Sequence, residues 1–298
     1  MERNKEYDAF GPWIYEIDEE HDVPGIFRNY CNEDDKQLML IKIPREIERR
    51  EASPGMDLYD YLIGAYDTHI RILKRTGKKV NERTVYYDNI IAVKDIHALL
   101  NGEVILFTEN EPFIILYNTV SEDIILKLIN IINIKIESYA RNIQIGGIPV
   151  EYIPGKADSL DILFFNLCNR LQKVNPGNYL AAYQPGMRIK RTRELKHKLK
   201  INKLKLSKTA FIINDKELIV LEREITRRKD VINVYAYSYL YVPFQSISGA
   251  GLNYFDEEQH LSNMELKLRY HTFSYIFENK NNKMIDLYQK LNEIDNIV

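Results

Sequence analysis

The sequence predicts an α+β protein built from two copies of one supersecondary pattern. Three observations carry that prediction. Residues 58–75 lie without a gap over residues 206–223 at a constant offset of 148, with most apolar positions coinciding. Self-similarity at a fixed offset marks a duplicated fold. In each half a polar loop and a hairpin follow in the same order, and each half closes on an amphipathic helix. The 298 residues suffice for about two domains at roughly 100–200 residues each, both large enough to bury a core.

The first 35 residues carry eleven acidic side chains against three basic ones, a net −8. Phe10, Trp13, Ile14, Tyr15, Ile26 and Phe27 make this stretch too apolar for a disordered tail. It reads as an ordered arm packed on the first repeat, with Trp13, the only tryptophan, as its interface anchor. A strand, residues 38–43, follows. Residues 58–75 read as two strands about a Tyr66-Asp67 turn, matched by Asn214-Asp215 in the second copy. Residues 87–93 then lie over 244–250. The next hairpin is 103–107 with 113–117 in one half, and 265–270 with 273–277 in the other.

Ser121 is placed to cap the first terminal helix, with Glu122 and Asp123 at its positive dipole end. Ile124, Ile125, Leu128, Ile129 and Ile132 follow at helical spacing. Met284, Leu287, Tyr288, Leu291 and Ile294 form the stripe of the second. Between the repeats, Asp158 is a cap candidate for a helix with Leu160, Leu163, Phe164, Leu167, Cys168 and Leu171 on one face, stopped by Asn175-Pro176-Gly177. The expected organisation is therefore residues 1–145, the acidic arm and first repeat; 146–184, a helical connector; and 185–298, the second repeat.

This order of elements resembles the bacterial pleckstrin-homology-like domain (PH-like, GRAM-like). The resemblance is carried by the strand–turn–strand openings at 58–75 and 206–223, the steps at Tyr87–Ile90 and Phe244–Ile247, and the two terminal helices. It is architectural, covers about two-thirds of the chain, and implies two tandem antiparallel barrels, each capped by a C-terminal helix. Such domains mostly bind lipids, peptides or proteins rather than catalyse, although a fold alone does not fix a function.

The formal net charge of −2 conceals a strong asymmetry. Against the acidic arm, residues 185–230 hold fifteen basic and six acidic side chains, a net +9. The second of two Pro-Gly-Met triplets, Pro185–Met187, is followed by 17 residues with no counterpart after the first, Pro54–Met56. This insertion carries Arg188, Lys190, Arg191, Arg193, Lys196, Lys198, Lys200 and Lys203 against Glu194 alone, and Arg227-Arg228-Lys229 stands in the elongated loop of the same repeat. Clustered Lys and Arg suit an anionic protein partner or an anionic lipid headgroup. They equally suit docking onto the acidic arm.

Residues 234–242 alternate strictly, placing Tyr235, Tyr237, Tyr239 and Tyr241 on one strand face. That ladder is either an interface buried against the other repeat, the connector helix or a second subunit, or a platform for single-stranded nucleic acid. Neither metal nor cofactor is expected. The six histidines lack ligand spacing, and Glu19, Glu20, His21 and Asp22 read as an acidic surface turn rather than a metal site. No Gly-x-Ser-x-Gly elbow or phosphate loop is present, so the expected protein is not an enzyme, the alternative being a dispersed site without a motif. Two cysteines, no apolar leader and no bilayer-length apolar run point to a cytoplasmic protein, at most peripheral to a membrane.

Overall fold

The structure, a computed structural model, describes residues 7–8, 10–31, 36–138, 162–188, 205–223, 226–228, 231–233, 236–257 and 260–295. It is a mixed α+β fold of mostly antiparallel sheets with few helices, and among the described residues no sheet closes into a barrel. The chain forms two compact units. One comprises Met1–Ile90, Leu99–Ile105 and Phe113–Tyr139; the other comprises Ile91–Ala98, Leu106–Pro112 and Ala140–Val298.

The first unit holds an antiparallel sheet in sequential order: β1 (Tyr15–Glu16), β2 (Met39–Pro44), β3 (Tyr59–Ala65), β4 (His69–Thr76) and β5 (Lys79–Tyr86). A two-residue turn joins β4 to β5, with Thr76 opposite Lys79 and Gly77 at φ +66°, the left-handed geometry such tight hairpins need. A 3₁₀ turn, Tyr87–Asn89, leads to β6 (Ile90–Ala98), which lies in the second unit from Ile91 onward. β7 (Asn101–Thr108), β8 (Phe113–Asn118) and helix α1 (Glu122–Ser138) follow. Helix α1 buries Ile125, Leu128, Ile129, Ile132 and Ile136, each stabilising the unit by about 1.5–3 kcal/mol.

Ser121 does not cap α1. A 3₁₀ turn, Thr119–Ser121, precedes the helix, and Asn118 caps that turn by accepting from Val120 N. The freed Ser121 hydroxyl instead accepts from Ile14 N at 2.9 Å, which pins the acidic arm. The arm is held further by pairing of Tyr15 with Lys42 and Glu16 with Ile41, and by Lys42 Nζ donating to Asp22 O at 2.8 Å.

Its apolar anchors are Phe10, Ile14 and Phe27, all buried. Trp13 is not an anchor in this unit: it is 51% exposed, and its indole lies over Gly11, where an added Cβ would stand 2.2 Å from the ring. The reason is the period of extended backbone. With Ile14 facing inward, its neighbours on either side must face outward.

Besides residues 91–98 and 106–112, the second unit holds, among described residues, α2 (Ile162–Val174) and β9 (Tyr179–Gln184). Then come β10 (Met187–Arg188), β11 (Lys205–Leu206), β12 (Thr209–Ile213), β13 (Glu217–Glu222), β14 (Thr226–Arg228), β15 (Val231–Asn233), β16 (Tyr237–Pro243), β17 (Ile247–Asp256), β18 (Leu261–Leu268), β19 (Thr272–Glu278) and α3 (Asn282–Asp295). Strands β6, β16, β13, β12 and β9 are hydrogen-bonded in that order, and β17, β18 and β19 form a separate meander. Strand β9 falls in the stretch read from sequence as connector. It is an edge strand here, antiparallel to β12.

The duplication holds at the level of strand register. A shift of 148 carries the pair Ile63↔Ile72 onto Phe211↔Val220. The β4–β5 pair Ile70↔Val85 corresponds to Leu218↔Val242 of β13 and β16, with an offset of 148 for the first residue and 157 for the second across the longer second loop. The tyrosine strand β16 thus pairs with β13 as β5 pairs with β4.

Both faces of the β16–β13–β12 sheet are buried. Phe211, Val220, Leu240 and Val242 enter a core with Met264, Leu266, Phe277 and the α3 residues Met284, Leu287 and Leu291. Toward the other face, α2 buries Phe164, Leu167, Cys168 and Leu171, with the Phe164 ring 6.1 Å from that of Tyr183 in β9. Double coverage explains why β12 and β13 read as unbroken apolar runs rather than alternating ones.

Candidate functional site

The ladders define one end of the second unit's sheet. Thr209 faces Gln184 on one side and Glu222 on the other, and Glu222 faces Ser238. The end of β9, the start of β12, the end of β13 and the start of β16 therefore lie side by side. Two further hairpins are rooted there. In one, Met187 pairs with Leu206 and Arg188 with Lys205. In the other, Thr226 pairs with Asn233, Arg227 with Ile232 and Arg228 with Val231.

Each root lies within a few residues of the same sheet end, so the two basic stretches of the sequence leave the sheet at one place. Lys190, Arg191, Arg193, Lys196, Lys198, Lys200, Lys203 and Lys229 lie outside the described residues; for Arg188, Arg227 and Arg228 the backbone alone is described. Lys208 and Arg223 add charge at this end that the sequence reading did not single out. They are joined through Arg223 N donating to Lys208 O at 3.0 Å. Their signal was available in the +9 of residues 185–230, but each stands alone beside a strand, Lys208 just before β12 and Arg223 just after β13, rather than within a basic run.

The sheet end is stiffened by amide side chains. Gln184 is buried; its Oε1 accepts from Glu278 N at 3.2 Å, and its Nε2 donates to Pro185 O at 2.9 Å. Asn281 caps α3, accepting from Met284 N, and donates its Nδ2 to Tyr183 O at 2.8 Å. Such fully used amides hold strand ends in register, because a buried polar group left unpaired costs about 1–3 kcal/mol.

The tyrosine ladder runs away from this end. Strand β16 pairs along both edges, with β13 and with β6, placing Tyr237 opposite His97, Tyr239 opposite Asp95 and Tyr241 opposite Val93. His97 and Asp95, two residues apart on β6, share a face and are both buried, with Nε2 2.7 Å from Oδ2. The Tyr237 ring stacks on the imidazole at 4.7 Å and 7°, and the Tyr239 ring meets it edge-on at 6.2 Å.

Tyr239 is 2% exposed and Tyr241 7%. Burial raises both phenols well above their ordinary range, and the charge of Arg170 on α2 partly offsets this. Rings so covered offer no face to a nucleic-acid base. Tyr235 lies outside the described residues. Cys168, on the same α2 face, is buried, and desolvation pushes its thiol up to about 12, which suits a packing role rather than a nucleophile.

The acidic turn of the arm is self-contained. Asp18 Oδ1 accepts from Glu20 N and His21 N, each at 2.8 Å, and these bonds lower its carboxyl. Among the described residues no group of three or more His, Cys, Asp or Glu side chains is arranged to hold a metal ion. No helix among them is long and apolar enough to cross a membrane. Comparison with family models and with curated proteins returned no match.

Proposed function

We infer that this protein is a non-catalytic binding module of two PH-like repeats, and that it recognises an anionic protein or membrane headgroup through the basic segments of its second repeat. Support for the repeat assignment comes from the order of elements in each half. Four strands (β2 to β5, and β9, β12, β13, β16), a 3₁₀ turn, three strands and a terminal helix recur with conserved register. One observation carries the binding reading: the strand pairs β10–β11 and β14–β15, which flank the basic stretches, are rooted at one end of one sheet. Convergence matters because each Lys or Arg near an anionic surface contributes only about 1 kcal/mol, so affinity needs several acting together.

The test is co-sedimentation of the full chain with vesicles containing phosphatidylserine, beside capture on heparin as a soluble polyanion. Binding should weaken steeply with added salt. It should drop at least about tenfold when Arg191, Arg193, Lys196 and Lys198 are changed together to Glu. Unchanged binding by that variant, with its thermal unfolding intact, overturns the assignment.

A further inference from the structure

Hydrogen bonds in the first unit bring together three distant segments that carry four exposed apolar residues. Thr119 N donates to Leu100 O at 3.1 Å and Thr119 Oγ1 donates to Leu99 O, joining the β6–β7 turn to the chain after β8. The Ile14 N–Ser121 Oγ bond brings the arm to the same place. Beside these bonds stand Leu99, Leu100, Val120 and Trp13, exposed by 67%, 60%, 48% and 51%. Fold stability does not require such side chains in water, and several large exposed apolar residues on hydrogen-bonded neighbouring segments point to an interaction surface.

Backbone geometry adds an independent sign. Leu99 has φ 57°, a left-handed conformation that a leucine rarely holds and that glycine or asparagine would adopt more readily. Its side chain gains little from the core in return. Strain of this kind persists where a side chain is wanted at a particular place. The indole of Trp13 is likewise held ready, laid over Gly11 where any Cβ would displace it.

Charge identifies what fits. Glu16 lies just past Trp13, Glu122 and Asp123 just past Val120, and Asp18, Glu19 and Glu20 continue along the arm. The nearby Lys127 is tied to Glu16 at 2.9 Å. Acidic residues so close in the chain to Trp13 and Val120 disfavour an anionic membrane, whereas a basic amphipathic segment matches both their charge and the apolar side chains. We propose that Trp13, Leu99, Leu100 and Val120 form a docking site for a protein segment with apolar anchors flanked by Lys or Arg. This site is separate from the basic segments of the second repeat and does not depend on them.

The experiment selects a random-peptide display library on the full chain and measures binding of the enriched peptides, using Trp13 emission as the reporter. Enriched peptides should combine apolar residues with Lys or Arg, shift Trp13 emission to the blue, and shield it from acrylamide. The Leu99→Asp/Leu100→Asp variant should bind them at least about tenfold more weakly. Leu99→Gly, which suits the left-handed turn, should also weaken binding while melting no lower than the parent. Changing Arg191, Arg193, Lys196 and Lys198 to Glu should leave peptide binding intact, which separates this site from the anion-binding reading.

Any of four results overturns the proposal: no enrichment, enrichment of acidic peptides, binding insensitive to both leucine variants, or an equal blue shift without peptide. The last would arise on concentrating the protein alone, through a second copy, or on adding phosphatidylcholine–phosphatidylglycerol vesicles.

Discussion

The backbone N–H of Ile14 donates to Ser121 Oγ at 2.9 Å, a buried bond between residues 107 apart in the chain. It ties the acidic arm to the start of α1, and its loss would leave a buried donor unpaired. Ser121→Ala is expected to cost about 1–3 kcal/mol, read as a lower urea midpoint. Amide exchange across residues 10–31 should accelerate more than exchange in β12 and β13. Uniform acceleration in both units would show that the bond has no local role.

The Asp95–His97 pair sits beneath Tyr237 with both members buried. Removing one member deletes the buried Asp95–His97 hydrogen bond, so Asp95→Ala should cost about 1–3 kcal/mol. Asp95→Ala and His97→Ala combined should cost less than the sum of the two, because they share one interaction. Strict additivity in thermal unfolding would rule out the coupling.

Alkaline stability follows from raised thiol and phenol values. Burial pushes Cys168 from an ordinary value of 9.0 to about 12, and Tyr179 from 10.0 to about 12. Both groups hold their protons longer in the folded chain than in the unfolded one. Stability is therefore unaffected below about pH 9 and falls as pH rises toward 12, by about 1.4 kcal/mol per pH unit for each group in its window. Cys168→Ala should flatten the lower part of that slope in urea titrations between these pH values. The same burial predicts that Cys168 resists iodoacetamide until the chain unfolds.

Gly102 of β7 stands against the Tyr117 ring of β8, and a Cβ at Gly102 would come within 2.2 Å of it. The tyrosine fills the space that a side chain at 102 would occupy. Gly102→Ala should cost about 1–3 kcal/mol through overpacking. Adding Tyr117→Leu should recover part of that loss; an equal or larger loss would show that the clash is not the cause.

Much of the secondary structure was legible because its signals are local. The turns at Tyr66-Asp67 and Asn214-Asp215, the hairpins and the α1 and α3 stripes all declare themselves within a few residues. Strand β9 escaped because Tyr-Leu-Ala-Ala-Tyr-Gln, buried on both faces, shows no alternation. Ser121 was read as a helix cap because it precedes Glu122 and Asp123. That reading could not foresee the 3₁₀ turn that hands capping to Asn118. At the candidate site, composition revealed the basic residues; the common root of their two hairpins is visible only in the ladders.

The sequence by itself determined that this protein is an α+β chain with an internal sequence similarity, an acidic arm and a basic second half, since periodicity and charge are properties of residue order. Tertiary structure decided which groups meet. It set β16 between β13 and β6, buried Tyr239 and Tyr241, stacked Tyr237 on His97, turned Trp13 outward, and rooted the strand pairs β10–β11 and β14–β15 at one sheet end. Strand pairing is a choice among distant partners made by burial and hydrogen bonding together. A residue's own neighbours in the chain carry only part of that information.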